Sequence, residues 1–302
     1  MSNVFCTGRY GCAALVLAIF LATPVRAAAL ELPPLNDPPT DVRLPGKFVW
    51  ADLVTPDIER AEAFYGKLFG WTFRKIGDGD GAYTLAYLGE EPMGGMVRLT
   101  EKSSEHKQAR WIGFISVPDV SEAQRLVVSQ GGKVLVSARR LPKRGDLAVF
   151  ADREGAIFGV LSSSSGDVED FLTEIGDWIW VQFLSRDGEK AAAFYASVGG
   201  SQVLDAPKPD GAKRWLLVSQ GYARASIVEI SPNQREARPG WLAYIRVADV
   251  GAAVALVQQL GGRILVAPRP DLFEGKVALM ADPDGAVFGV LQWDPVDAEG
   301  GR

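Results

Sequence analysis

The stretch "ADREGAIFGVLSS" at residues 151–163 returns, little changed, as "ADPDGAVFGVLQW" at residues 281–293. The same offset of 130 residues links Trp50 to Trp180, Phe64-Tyr65 to Phe194-Tyr195 and Trp111 to Trp241. It also links Asp119-Val120 to Asp249-Val250, Gly131-Gly132 to Gly261-Gly262, and Asp152 to Asp282. One register held over a hundred residues marks a tandem duplication, and a repeat of this kind decides the fold before any local reading does. Between the copies, "SSSSGDVEDFLTE" at residues 162–174 combines serines, a glycine and acidic residues, as a solvated linker does.

Each copy halves again. "VTPDIERAEAFYGKLFG" from Val54 and "SVPDVSEAQRLVVSQGG" from Ser116 share one layout: strand end, Pro-Asp, helix, glycine. Asp57 and Asp119 take helix N-cap positions, with Glu122 three residues after Asp119 in a capping-box pattern. Ile58, Ala61, Phe64, Tyr65 and Leu68 recur at helical spacing, while Glu59, Arg60, Glu62 and Lys67 take the opposite face. Short alternating runs follow, such as "WTFRKIG", "YTLAYLG" and "GGMVRL", and read as three strands. The repeating unit is therefore strand, helix, three strands, written four times. This predicts an α+β fold of two tandem domains, each a pair of βαβββ modules, over residues 46–163 and 176–295. Residues 164–175 form the linker and residues 296–302 a tail.

The front end differs. Arg9 precedes the apolar run "CAALVLAIFLA" at residues 12–22, and small residues, Val25 and Ala27, stand before a potential cut near residues 27–29. This is the layout of a cleavable secretory signal peptide, over residues 1–29. The run is too short for a bilayer, which takes roughly 18 apolar residues or more. It predicts a secreted or periplasmic protein. Residues 30–45 are proline-rich and read as an extended leader. Both cysteines, Cys6 and Cys12, fall in the signal segment, so the mature chain would have no disulfide, thiol nucleophile or thiolate metal site. The net charge of −5 points to neither nucleic acid nor an anionic membrane as partner.

With these motifs in this order, "WADLVTPDIERAEAFYGKLFGW" (50–71), "WVQFLSRDGEKAAAFY" (180–195), "YIRVADV" (244–250) and "DPDGAVFGVLQ" (282–292), the chain resembles the vicinal oxygen chelate superfamily. This is the glyoxalase, bleomycin-resistance and extradiol-dioxygenase group. The resemblance covers nearly all of residues 46–295. It implies open, barrel-like sheets, with helices on the convex side and a ligand cleft on the concave side.

The resemblance also implies where a divalent metal would be held by His and Glu. One ligand falls seven residues before the helix-capping Asp, at Trp50 and Trp180. Another falls at the matching points before Asp119 and Asp249, at Ile112 and Leu242. A last one, usually Glu, falls seven residues after the Asp of the second motif, at Gly159 and Gly289. None of these side chains donates an electron pair. The single histidine, His106, lies in the polar stretch "EKSSEHKQAR". The expectation is that neither domain carries the family's metal centre, and no cofactor is anticipated.

Strand alternation then assigns the cleft faces. Trp50, Asp52, Phe114 and Gly159 are expected to line the first cleft; Trp180, Gln182, Tyr244, Arg246 and Gly289 are expected to line the second. The glycines are read as leaving room beside the tryptophans for a flat ligand. An apolar slot with a few polar groups is the ordinary form of a small-molecule site. The favoured reading is thus metal-independent binding of a small hydrophobic or aromatic compound. A glyoxalase- or dioxygenase-like enzyme (lyase, isomerase or oxygenase) with an atypical site, such as an Asp or Glu acid–base pair, and a structural or interaction scaffold with side-chain-filled clefts, stay open beside it.

Overall fold

The computed structural model describes residues 31–99, 108–206, 213–234 and 236–294. The expected signal segment, His106 and the expected C-terminal tail lie outside these residues. Strands β1 (Phe48–Thr55), β2 (Thr72–Ile76), β3 (Tyr83–Leu88), β4 (Glu91–Arg98), β5 (Arg110–Ser116), β6 (Lys133–Leu141), β7 (Gly145–Ala151) and β8 (Ile157–Ser163) form the first sheet. Its order is β2-β3-β4-β1-β5-β8-β7-β6. The second copy repeats this as β10-β11-β12-β9-β13-β16-β15-β14. Its strands are β9 (Trp178–Ser185), β10 (Gln202–Asp205), β11 (Arg214–Ser219), β12 (Tyr222–Glu229), β13 (Gly240–Val247), β14 (Arg263–Val266), β15 (Val277–Ala281) and β16 (Val287–Gln292). The modules meet where β1 runs antiparallel to β5, and β9 to β13. Both sheets are curved but open.

Helices α1 (Ile58–Phe69), α2 (Val120–Ser129), α3 (Gly188–Gly199) and α4 (Val250–Gln259) follow the first strand of each module. Each begins at an aspartate whose carboxylate accepts backbone N–H groups of the first turn: Asp57 from Arg60, Asp119 from Ser121 and Glu122, Asp187 from Lys190, and Asp249 from Ala252. That satisfies donors a helix start otherwise leaves unpaired. α1 stops at Gly70 and α3 at Gly200, both left-handed (φ 76° and 66°).

The helices lie between the two sheets, so the copies pack back to back. One core joins α1, Leu53 and Met96 of the first copy to α4, Met280 and Phe288 of the second. The other joins α2, Phe150 and Phe158 of the first copy to α3, Phe183 and Ile227 of the second. Neither copy has a helix-side core to itself. Each contributes one module to each core, and both concave faces point outward.

Candidate functional site

Across β1, β5 and β8 the residues Trp50, Phe114 and Gly159 stand in one row. Across β9, β13 and β16 the row is Trp180, Tyr244 and Gly289. The purpose of the glycines differs from expectation. A Cβ on Gly159 would fall 2.3 Å from the Phe114 ring, and one on Gly289 would fall 2.2 Å from the Tyr244 ring. The missing side chain therefore admits the aromatic ring of the neighbouring strand, which lies over the bare backbone as an intramolecular filler. The space is taken by protein, not held open for a ligand.

The first cleft is filled except for a small hollow beside Arg144. Trp50, Phe114, Leu147, Val149 and Leu161 are buried together with Leu32 and Leu35 of the leader. At its centre, Trp50 Nε1 donates to Asp52 Oδ1 at 2.8 Å and Tyr83 OH donates to the same oxygen at 2.6 Å. Gly95 makes this contact possible, since a Cβ there would sit 1.8 Å from the Tyr83 hydroxyl. Burial pushes the Asp52 carboxyl up, and the bonds from Tyr83 and Trp50 partly oppose that shift. Arg144 is 2 % exposed and lies over the Trp50 ring at 4.1 Å. Its Nε donates to Pro33 O at 2.8 Å. Burial lowers its guanidinium pKa, and the neighbouring Tyr83 and Asp52 counter this.

The second cleft carries the same strand positions with different chemistry and no leader. Gln182 replaces Asp52, and Ser226 stands opposite it as Gly95 stands opposite Asp52. Trp180 Nε1 and Gln182 Nε2 both donate to Ser226 Oγ, at 3.0 and 3.3 Å, and Tyr244 OH donates to Gln182 Oε1 at 3.0 Å. Burial holds the Tyr244 phenol well above its ordinary pKa, so it remains a donor at neutral pH. Around this uncharged chain of bonds, Ile179, Trp180, Leu184, Leu279, Val287 and Leu291 are only half-buried. Arg246, assigned to this cleft from strand phase, is engaged elsewhere. Its Nε donates to Trp293 O at 3.0 Å, its Nη1 donates to Thr173 O, and its guanidinium faces the Trp293 ring.

A polar hollow of about 450 Å³ lies apart from both clefts, at the start of α2. Its helix end is already occupied, because the Asp119 carboxylate accepts the Ser121 and Glu122 N–H groups at 2.7 and 3.0 Å.

These residues do not fit a divalent ion. The row positions supply indole, phenyl or phenol rings and bare backbone, and the Asp52 carboxylate beside them, with Oδ1 already accepting from Trp50 and Tyr83, supplies too few donors for a metal site. Among the described residues no three His, Cys, Asp or Glu side chains converge.

The doubled fold has clear relatives. The sequence profile of the Glyoxalase/Bleomycin resistance protein/Dioxygenase superfamily matches residues 47–160 and again residues 179–290. The chain belongs to this superfamily, with one such domain in each copy. It is 28 % identical over 254 residues to the putative glyoxylase CFP32 of Mycobacterium tuberculosis, covering 82 % of this chain and 94 % of that protein. It is 27 % identical over 265 residues to the anthracycline biosynthesis protein DnrV of Streptomyces peucetius, with the same coverage of 82 % and 94 %. In fold it resembles the Mn(II)-bound glyoxalase of Novosphingobium aromaticivorans (TM-score 0.53, 13 % identity, 86 % of this chain and 87 % of that one). It likewise resembles the 2,2',3-trihydroxybiphenyl 1,2-dioxygenase of Sphingomonas wittichii (TM-score 0.54, 15 % identity, 85 % and 94 %).

Tyr83, Arg144, Ser226 and the leader residues Leu32 and Leu35 were not legible as site residues in the sequence. The one available signal was the Gly94-Gly95 pair inside β4, which marks a close approach.

Proposed function

We propose that this protein binds a small, flat, hydrophobic or aromatic molecule on the concave face of its second domain, without a metal ion. The observation that carries the reading is the contrast between equivalent tryptophans. Trp50 is covered by its surroundings, whereas Trp180 is half-buried on an apolar face with the Ser226–Gln182–Tyr244 bonds at its centre. Such a surface gains from burying a ring and orients it with a few polar groups. One relative is named for anthracycline biosynthesis. Anthracyclines are flat polycyclic aromatics, which is in keeping with this choice of ligand class.

A metal-dependent reaction of the glyoxalase kind would need a centre for which the two rows offer no donors. The proposed activity is therefore sequestration or transport of the compound. The apolar run and small residues before position 30 support an exported protein, cut near residues 27–29. N-terminal sequencing of the protein recovered from the periplasm or medium tests the export reading. A start beyond residue 26 supports it, and an intact Met1 contradicts it. For the binding reading, anthraquinone-2-sulfonate serves as the probe, followed by quenching of tryptophan fluorescence. Saturable binding that weakens at least tenfold in Trp180→Ala supports the proposal. Binding that is non-saturable, or indifferent to Trp180, opposes it.

A further inference from the structure

The leader of this chain has two parts. From Leu35 onward it is anchored to the end of the first copy. Leu35 N donates to Ser165 Oγ (2.9 Å), Thr40 N to Ser165 O (2.9 Å) and Leu44 N to Asp167 Oδ2 (2.6 Å), while Asp167 N donates to Val42 O (3.0 Å). Ahead of that anchor, residues 31–34 are held by less. Leu32 is buried in the first cleft, Pro33 O accepts from Arg144 Nε, and Glu31 makes an exposed ion pair with Lys143. An exposed pair of that kind contributes little.

Beneath this tip is a buried polar set that the leader leaves incomplete. Both Nη groups of Arg144 are buried with no hydrogen-bond partner in the protein. A buried guanidinium donor without an acceptor is costly and calls for an explanation. Arg144 shares a small hollow with Leu32, Trp50, Asp52 and Tyr83. Asp52, half-buried, lines the same hollow; Trp50 and Tyr83 both donate to its Oδ1, and no protein donor to Oδ2 is seen among the described residues.

We propose that the first cleft is a second ligand site, closed by the tip of the chain's own leader, and that its ligand is a small neutral ring bearing both a hydroxyl and a carbonyl group. The hydroxyl donates to Asp52 Oδ2 and the carbonyl accepts from Arg144 Nη. Neutrality follows from charge balance. Half-buried Asp52 offsets buried Arg144, so an added anion or cation would stay uncompensated beside them. Size follows from what must leave, because the ring takes the volume of Leu32 and its neighbour Pro33, which allows one ring. This inference stands apart from the second-domain reading, since it uses different residues and another ligand geometry.

The test uses the full chain carrying Trp180→Ala, so that the second cleft does not contribute. Two opened forms are compared with it: Leu32→Ala, and a chain shortened to begin at Leu35. The shortened form keeps the anchor and serves if Leu32→Ala fails to fold. The probe is 3-hydroxyacetophenone. Phenol and acetophenone each present one of its two groups, and benzoate presents a charge. Calorimetric titration should show the probe binding at least one opened form about tenfold or more tighter than the closed chain, with phenol, acetophenone and benzoate all weaker. Adding Arg144→Met to the opened form should reduce the probe to the affinity of phenol. Equal affinity for closed and opened chains, stronger binding of benzoate, or no binding to any opened form would overturn the proposal. The last result would mean that a single trapped water satisfies Arg144; the hollow of about 10 Å³ is large enough for one.

Discussion

Tyr65 on α1 donates its hydroxyl proton to Asp282 Oδ2 at 3.1 Å, across 217 residues of chain. The duplication returns the same bond in the opposite direction, from Tyr195 on α3 to Asp152 Oδ2 at 2.8 Å. Each aspartate also closes its own turn. Asp282 Oδ1 accepts from Asp284 N and Ala286 N, and Asp152 Oδ1 accepts from Glu154 N and Ala156 N. Burial, reinforced by the neighbouring carboxylate, keeps both phenols well above their ordinary pKa, so both remain donors. The residues that identify the repeat are thus the residues that join its copies.

Removing either hydroxyl leaves a buried carboxylate oxygen without that donor. Tyr65→Phe and Tyr195→Phe should each lower unfolding free energy by about 1–3 kcal/mol. The two sites share no partner, so the losses in the double variant should nearly add. Urea denaturation measures this. A loss well under 0.5 kcal/mol in both variants would show that the exchange of bonds contributes nothing to holding the copies together.

Because each helix-side core draws on both copies, neither copy should fold by itself. A chain of residues 31–168 would expose α1, Tyr65 and Phe69 together with α2, Phe150 and Phe158, which all pack on the other copy in the intact protein. It should show no cooperative thermal transition by circular dichroism, and mixing it with the complementary half should restore one. A sharp melt of the isolated half would contradict this.

The glycines at the end of each row test the filling described above. Gly159→Ala should destabilise the protein by about 1–3 kcal/mol, because its Cβ would collide with the Phe114 ring. In a Phe114→Ala background the same substitution should cost much less, so the double-mutant cycle yields a coupling energy of opposite sign. Gly289→Ala and Tyr244→Ala should behave alike. Equal cost of Gly159→Ala in both backgrounds would mean that the ring does not need the glycine.

Asp177 begins the second copy, next to Trp178 N, which donates to its Oδ1 at 2.6 Å. Burial raises its pKa from 3.8 to about 6. A carboxyl whose folded pKa is raised favours the folded state while protonated. That contribution is fully present below about pH 3.8 and is lost as pH climbs through about 6. Asp177→Asn should flatten the pH dependence in this window and raise stability at pH 7 by up to about 3 kcal/mol, the equivalent of two pKa units. Melting profiles between pH 4 and 7 check it, and an unchanged slope in the variant would assign the dependence to other groups.

Much of this architecture was readable from residue order. The 130-residue register gave the two sheets, and strand alternation placed Trp50, Phe114, Trp180 and Tyr244 on the concave faces. Alternation can be read from residue order because the period of two is a local property. What alternation could not show was which faces are covered. Leu32 and Leu35 reach the first cleft only through the fold of the leader around Ser165 and Asp167, a contact across more than 120 residues. Arg144 sat in a turn-like "KRGD" with nothing local to mark it as buried. Arg246 followed the strand phase, but its long side chain turned to Thr173 and Trp293, which no periodicity records.

The most direct measurement of the central claim is the affinity of the second domain's concave face for a flat aromatic probe with metal ions removed. In calorimetric titration with anthraquinone-2-sulfonate, the account predicts one saturable site, the same dissociation constant with and without excess chelator, and at least tenfold weaker binding in Trp180→Ala. Binding that disappears with chelator and returns on adding a divalent ion would contradict it.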